Sequence, residues 1–328
     1  MASMKKNIVY TIIIIFGSFL IAGVFVELFM RIVYEPMPAF NLNEIKDSFD
    51  SYEYTPQINN LGFREEEPDD KILGDSTTRI LFLGDSFTHG TGVSNGSDRF
   101  SDIIESRLND KTNKHYSAFH VYNAGVKGTE PRRWVGYLKE LLPLYRPHSV
   151  VVIFFLRDGT DLCTSLMCYK DKIARIKAKY ENNFIYKFSY LGKFIVHKVE
   201  KRAFANFYLS RMKNSYLGNE TEKQTWYEQQ GHLLEMQKIC ADNNIDFHLV
   251  IFPMLFGLEG NYQFHDVEEE INRFARAHQM PLFSLTPGFI GLESKSLWVS
   301  PSDQHPNEKG HQVAADILFP YIDEILTR

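Results

Sequence analysis

The sequence is poor in cysteine, has no block or stripe of basic residues, and contains neither an internal repeat nor a low-complexity tract. Three cysteines in 328 residues cannot staple a disulfide scaffold. No Cys/His spacing resembles a zinc site, so no structural metal and no cofactor are expected. Cys163 and Cys168 are close enough in sequence to pair in an oxidising compartment. Cys240 falls on a helical pattern and reads as a small buried apolar residue. The net charge of -5 and the missing basic stripe argue against a nucleic-acid partner. With 44% hydrophobic and 23% charged residues, the chain has ordinary globular composition and length enough for one large core.

What the sequence does have is one long apolar run. Ile8 to Met30 carries a single charged residue, Glu27, near its end. At about 1.5 Å per residue, such a helix crosses a hydrocarbon core of about 30 Å. Lys5 and Lys6 precede it and Arg31 follows. This bias places residues 1–7 in the cytoplasm and the body of the chain outside it, in the periplasm or at the cell surface. A cleaved signal peptide is the rival reading. It has a shorter apolar core and a small-x-small cleavage site, and no good site of that kind follows Ala22. An uncleaved single-pass anchor over 8–30 is the expectation.

Residues 31–78 are polar, contain proline, and read as a linker and lead-in. From 79 onward the pattern alternates. Apolar runs at 78–84, 120–125, 149–156, 247–253 and 281–285 read as strands. Ser149–Leu156 is continuous enough to be buried on both faces. Between them lie helix-period segments. Phe100, Ile103, Ile104 and Leu108 share one face, and Trp134, Tyr137, Leu138, Leu141 and Leu142 share another. Residues 223–243 and 266–278 are also amphipathic. The last helix runs from Val313 to Leu326, with Ala314, Ile317, Leu318, Tyr321 and Ile325 expected to be buried. Alternating strands and helices predict a three-layer α/β/α domain over 79–328, with a five-stranded parallel sheet. Residues 160–222 break the rhythm and read as a mainly helical insertion.

Three short motifs carry chemistry. Gly84-Asp85-Ser86-Phe87-Thr88-His89-Gly90 follows the first strand. A serine there faces the crevice beyond the carboxyl edge of the sheet. A free hydroxyl is a poor nucleophile and needs a base. Asp303-Gln304-His305-Pro306-Asn307 supplies one. Pro306 disfavours helix at His305, and in an extended chain side chains two apart share a side. Asp303 can then fix the His305 tautomer, and Asn307 is a candidate cap for the final helix. Asn123-Ala124-Gly125-Val126-Lys127-Gly128 follows the second strand, where glycines let backbone N–H groups approach a substrate oxygen. Each motif has a plainer alternative: a common turn, a loop histidine, a βα turn. His89 reads as pocket lining and Asp85 as a brace for the turn. His311 and Asp316 fit the structural face pattern of the last helix.

In this order and at these strand ends, the three blocks resemble the SGNH (GDSL-type) hydrolase family over about 60–328. GDSFTHGTGV resembles its first block, NAGVKG its second and DQHPN its fifth, while Asn60-Leu61-Gly62-Phe63-Arg64 is similar to membrane-attached bacterial members. The resemblance implies an SGNH, flavodoxin-like fold. It also implies a serine esterase with Ser86 as nucleophile, His305 as base and Asp303 as orienting acid. The N–H groups of Ser86 and Gly128 would form the oxyanion hole, and His89 and Asp85 would line the substrate site. The substrate implied is an acylated envelope glycan or lipid. Two departures matter. Asp303 and His305 are separated by one residue where many members have two, a shorter form that also occurs in the family, and the third block differs. The third block usually reads Gly-x-Asn-Asp, and its asparagine donates to the oxyanion. Here Arg157-Asp158 follows the strand, so Arg157 is a candidate third donor. The third-block departure also motivates an alternative: a catalytically weak structural or binding subunit of a membrane protein complex.

Overall fold

In a computed structural model, the apolar runs form one parallel sheet. Described are residues 2–34, 56–69, 72–74, 76–110, 118–160, 183–260, 262–301 and 303–327. The strands are β1 (Thr77–Gly84), β2 (Ala118–Gly125), β3 (Ser149–Phe155), β4 (Asp246–Phe252) and β5 (Leu282–Ser284). Their order is β2-β1-β3-β4-β5, every neighbouring pair parallel. Ile80 to Leu83 and Val150 to Phe154 have no exposed surface. That is the outcome for unbroken apolar strands covered on both faces.

The described helices are α1 (Ala2–Val33), α2 (Phe100–Asp110), α3 (Pro131–Tyr145), α4 (Tyr190–Leu217), α5 (Gln224–Asp242), α6 (His265–Ala277) and α7 (Glu308–Thr327), besides shorter helical turns. α2 and α7 pack together on one face of the sheet. α3 and α5 cover the other, and Trp226 of α5 meets Phe274 of α6 edge-on at 5.4 Å. This is the three-layer α/β/α arrangement expected from the alternating pattern.

Three details differ from the expectations. The lead-in is more than a linker: Phe63 and Arg64 are buried against the domain. The final helix starts at Glu308 and buries Ala314, Ala315, Leu318, Ile322 and Leu326, while Ile317, Tyr321 and Ile325 are only half-buried. The buried stripe lies one position off because α7 packs on α2 as well as on the sheet. A small hairpin, β6 (Trp298–Ser300) with β7 (Asp303–Pro306), was not expected, its strands being too short for a two-residue period to register.

The chain forms two compact units, residues 1–51 with 162–211 and residues 52–161 with 212–328. The insertion therefore divides. Residues 212–222 belong with the sheet domain, where Met212 and Tyr216 are buried. The part up to 211 belongs with α1. Residues 161–182, with Cys163 and Cys168, and residues 35–55 lie outside the described residues. Cys240 is buried in α5, and burial pushes its thiol up to about 12. Within α1, Tyr10–Val33 is long and apolar enough to cross a membrane or to serve as a signal sequence.

Candidate active site

β1 and β3 flank the point where the strand order reverses, and the crevice beyond their carboxyl ends is where open α/β sheets bind ligands. Ser86 opens a helical turn, Ser86–His89, directly after β1. Asp85 caps this turn, its Oδ1 accepting the Phe87 N–H at 2.8 Å. As first residue of the turn, Ser86 has a backbone N–H with no intrahelical partner. Two glycines make room. A Cβ on Gly84 would collide with Thr88, and one on Gly125 would collide with the backbone of Thr88 and His89. The turn thus sits flush on the ends of β1 and β2.

Asn123 and Arg64 hold the turn from behind. The Asn123 amide donates to Thr88 O at 2.7 Å and to Ser101 Oγ at 2.8 Å, and its Oδ1 accepts the Gly125 N–H at 3.0 Å. Arg64, from the lead-in, donates to the carbonyls of Gly90, Val93 and Ser94 at 3.0, 2.8 and 3.0 Å. Arg99 in turn donates to Arg64 O at 2.6 Å and pairs with Asp102 at 2.8 Å. The positioning roles of Arg64 and Arg99 were missed in the sequence. Nothing in local spacing marks an arginine whose partners lie 26 to 30 residues away.

The hairpin brings the other side chains. His305 Nδ1 lies 2.5 Å from Asp303 Oδ1, and His305 Nε2 lies 2.9 Å from Ser86 Oγ. The same Asp303 oxygen also accepts the His305 N–H at 3.0 Å. An ionised Asp303 can only accept, so Nδ1 carries the proton and Nε2 is left to accept from the Ser86 hydroxyl. Asn307 locks the hairpin: its Nδ2 donates to Ser296 O and Trp298 O at 3.1 and 3.0 Å, while its Oδ1 caps α7 through Gly310 N–H at 3.0 Å. Beneath His305 lies an aromatic layer, Phe87 stacked on Phe155 at 4.0 Å and 5.4 Å from the imidazole.

Arg157 stands beside the same turn. Its Nη2 lies 3.8 Å from Asp85 Oδ2, and its guanidinium sits 5.7 Å from the Phe155 ring. Ser86 Oγ also lies 3.3 Å from that carboxylate oxygen. Burial pushes the Asp85 carboxyl up, opposed by the Arg157 charge and the Phe87 N–H. Asp158 accepts the Phe155 N–H at 2.9 Å. Burial, and then the Asp85 charge, push it well above the usual carboxylate range.

Gly128 is an exposed turn residue at φ 72, in the left-handed region that favours glycine. The turn is tied to the β1 end by Val126 N–H to Gly84 O at 3.1 Å. His89 is buried against the turn, and burial, then Lys127, Arg64 and Arg99, depress it to about 3. It stays neutral and is a weak base. His311 is fully buried, stacked on Phe100 at 5.5 Å and accepting its N–H. Asp316 is an exposed partner of Arg107. Among the described residues, no group of three or more His, Cys, Asp or Glu is placed to hold a metal ion.

A hydroxyl, an imidazole and a carboxylate joined in series at a sheet switch point form the arrangement on which serine-dependent acyl transfer relies. The sequence match agrees in class: residues 80–318 match the GDSL-like Lipase/Acylhydrolase family, and the chain belongs to it. Solved structures that the chain matches include a two-domain esterase (CEX) active on acetylated mannans, 15% identical with a TM-score of 0.45; the match covers 79% of this chain and 53% of that one, about half its length. The psychrotrophic esterase EstA from Pseudoalteromonas sp. is also 15% identical with a TM-score of 0.44, covering 76% of this chain and 100% of that one. A lipase/acylhydrolase from Enterococcus faecalis is 12% identical with a TM-score of 0.43, covering 75% and 95%. No curated protein sequence matches the chain.

Proposed function

We propose that this chain is a serine esterase held in a membrane by α1, with Ser86, His305 and Asp303 as its catalytic residues. The observation that carries the reading is the unbroken hydrogen-bond series from Ser86 Oγ through the imidazole to Asp303, at 2.9 and 2.5 Å. Ser86 Oγ attacks an ester carbonyl while its proton passes to His305 Nε2. The tetrahedral oxyanion is received by the N–H groups of Ser86 and Gly128. The imidazolium, stabilised by Asp303, returns the proton to the departing alcohol. Water, deprotonated by the same nitrogen, attacks the acyl group left on Ser86; the Ser86–acyl bond breaks, the acid departs and the proton returns to Ser86 Oγ. A sugar hydroxyl in place of water gives acyl transfer. Asp85 and His89 line this site without exchanging protons with the substrate. With the body of the chain outside the cytoplasm, the substrate is an acylated envelope glycan or lipid.

Arg157 favours one competing reading. The third donor of the family is replaced by a guanidinium engaged with Asp85, and losing one oxyanion donor costs about 100- to 1000-fold in rate. On that reading the chain is a catalytically weak binding subunit of a membrane complex. Purified wild type and Ser86→Ala, assayed on a short-chain chromogenic ester, separate the two. The esterase reading expects turnover only in the wild type. Equal rates would leave the binding-subunit reading standing.

A further inference from the structure

The catalytic reading above assigns no role to α1 or to the helical segment over residues 183–211. These two belong to one compact unit, and the contact between them is specific. Glu27 is the only acidic residue between Tyr10 and Val33. Its carboxylate accepts the Ser189 hydroxyl at 2.8 Å, the Tyr190 N–H at 2.8 Å and the Leu191 N–H at 3.1 Å. Arg31 donates to Phe188 O at 2.9 Å and to Glu27 at 3.2 Å. An ionisable group in an apolar span is costly unless partnered, and here it caps the start of α4. The start of α4 is therefore fixed at the depth of Glu27. That is six residues, or about 9 Å, inside the end of the span at Val33. Such a depth matches the boundary between headgroups and acyl chains, where interfacial helices bury their apolar side by about 5–10 Å.

The segment leaving that point has a surface suited to the boundary. Phe188, Ile195 and Val199 are 54%, 52% and 60% exposed. Lys187, Lys198, Lys201 and Arg202 are exposed beside them. Between residues 183 and 211 there are four lysines and two arginines against Glu200 alone, in a chain whose net charge is -5. Apolar side chains interleaved with cations, continuous with a membrane span, complement a bilayer carrying anionic phosphates.

We propose that Phe188–Arg202 is a second membrane contact, lying along the surface of the bilayer that α1 crosses, with Ile195 and Val199 entering the headgroup region and the cations meeting anionic lipid. The inference rests on the anchor reading above. The test uses the full chain in nanodiscs of phosphatidylcholine and phosphatidylglycerol, with native cysteines replaced by serine and a bimane placed by V199C, I21C or K238C. A nitroxide at a shallow acyl position should quench the V199C label several-fold, and aqueous iodide should quench it several-fold less than it quenches the solvent-exposed K238C label. Adding K198E, K201E and R202E should weaken lipid quenching at position 199 while leaving that at position 21 unchanged. Full access of iodide to V199C without lipid quenching would overturn the proposal. So would shielding from both quenchers, which would mean a second copy or a protein partner on this face. Failure of a mid-chain nitroxide to quench I21C would remove the anchor reading itself.

Discussion

β1 and β3 lie side by side, paired in register from Ile80 with Ser149 to Gly84 with Ile153, and both are buried throughout. What leaves their ends is not alike. β1 runs into a glycine-flanked turn that presents a hydroxyl to an imidazole. β3 runs into Arg157, a guanidinium 3.8 Å from the buried carboxylate of the β1 turn. Two strands of the same apolar character therefore deliver opposite chemistry to one edge, and Asp85 joins them, touching Ser86 on one side and Arg157 on the other. The sheet interior sets where a site can be; the few residues past each strand decide what it does.

Substitutions at the two ends should separate their roles. On the β1 side, Asp303→Asn should lower kcat by up to about 10,000-fold, because it removes the acceptor that fixes the His305 tautomer, with little change in the melting temperature. A loss under tenfold would remove Asp303 from the orienting role. On the β3 side, stability is the readout. Arg157→Met strips the opposing charge from a buried Asp85, with an expected loss of about 1–3 kcal/mol, moderated because the Arg157 side chain is 29% exposed. Asp85→Asn added to it should recover part of that loss, and a double-mutant cycle without coupling would break the link between the two ends.

The comparison extends to the edge strand β2, whose Val121 N–H donates to Glu105 Oε2 at 2.6 Å. Burial pushes Glu105 up to about 7. A carboxyl whose folded pKa lies above its unfolded value binds more protons when folded, so stability falls as pH rises from about 4.5 through 7. Glu105→Gln should flatten this loss, gaining on the order of 2 kcal/mol at pH 8 relative to pH 4.5 in denaturant titrations of the detergent-solubilised chain. Parallel curves would assign the burden to another group, such as Glu65, which is also pushed up to about 7 by burial. The smallest effect belongs to the exposed Arg107–Asp316 pair, 2.5 Å apart, where Asp316→Ala should cost under about 1 kcal/mol.

Much of this was legible in the residues. Unbroken apolar runs marked β1 and β3, and alternation with helix-period segments marked the parallel sheet. An extended Asp-x-His stretch before proline put two side chains on one side, and β7 holds them in contact. The remainder depends on distant partners that no local period encodes. Arg64 reaches the loop after the Ser86 turn, and Glu27 meets a helix more than 160 positions along the chain. Arg157 was visible as a candidate oxyanion donor from its position in the third block; its approach to Asp85 was not, because that depends on how two strand ends meet. The offset stripe of α7 has the same origin: a helical period gives a face, and the packing partners decide which edge of it is covered.

The central claim is that an imidazole from the hairpin after β5 activates a hydroxyl at the end of β1. Mass spectrometry of the chain after exposure to a fluorophosphonate probes this directly. A single covalent adduct on Ser86 is predicted in the wild type, and none at the same exposure in His305→Ala. Equal labelling of the two, or an adduct on another serine, would contradict it.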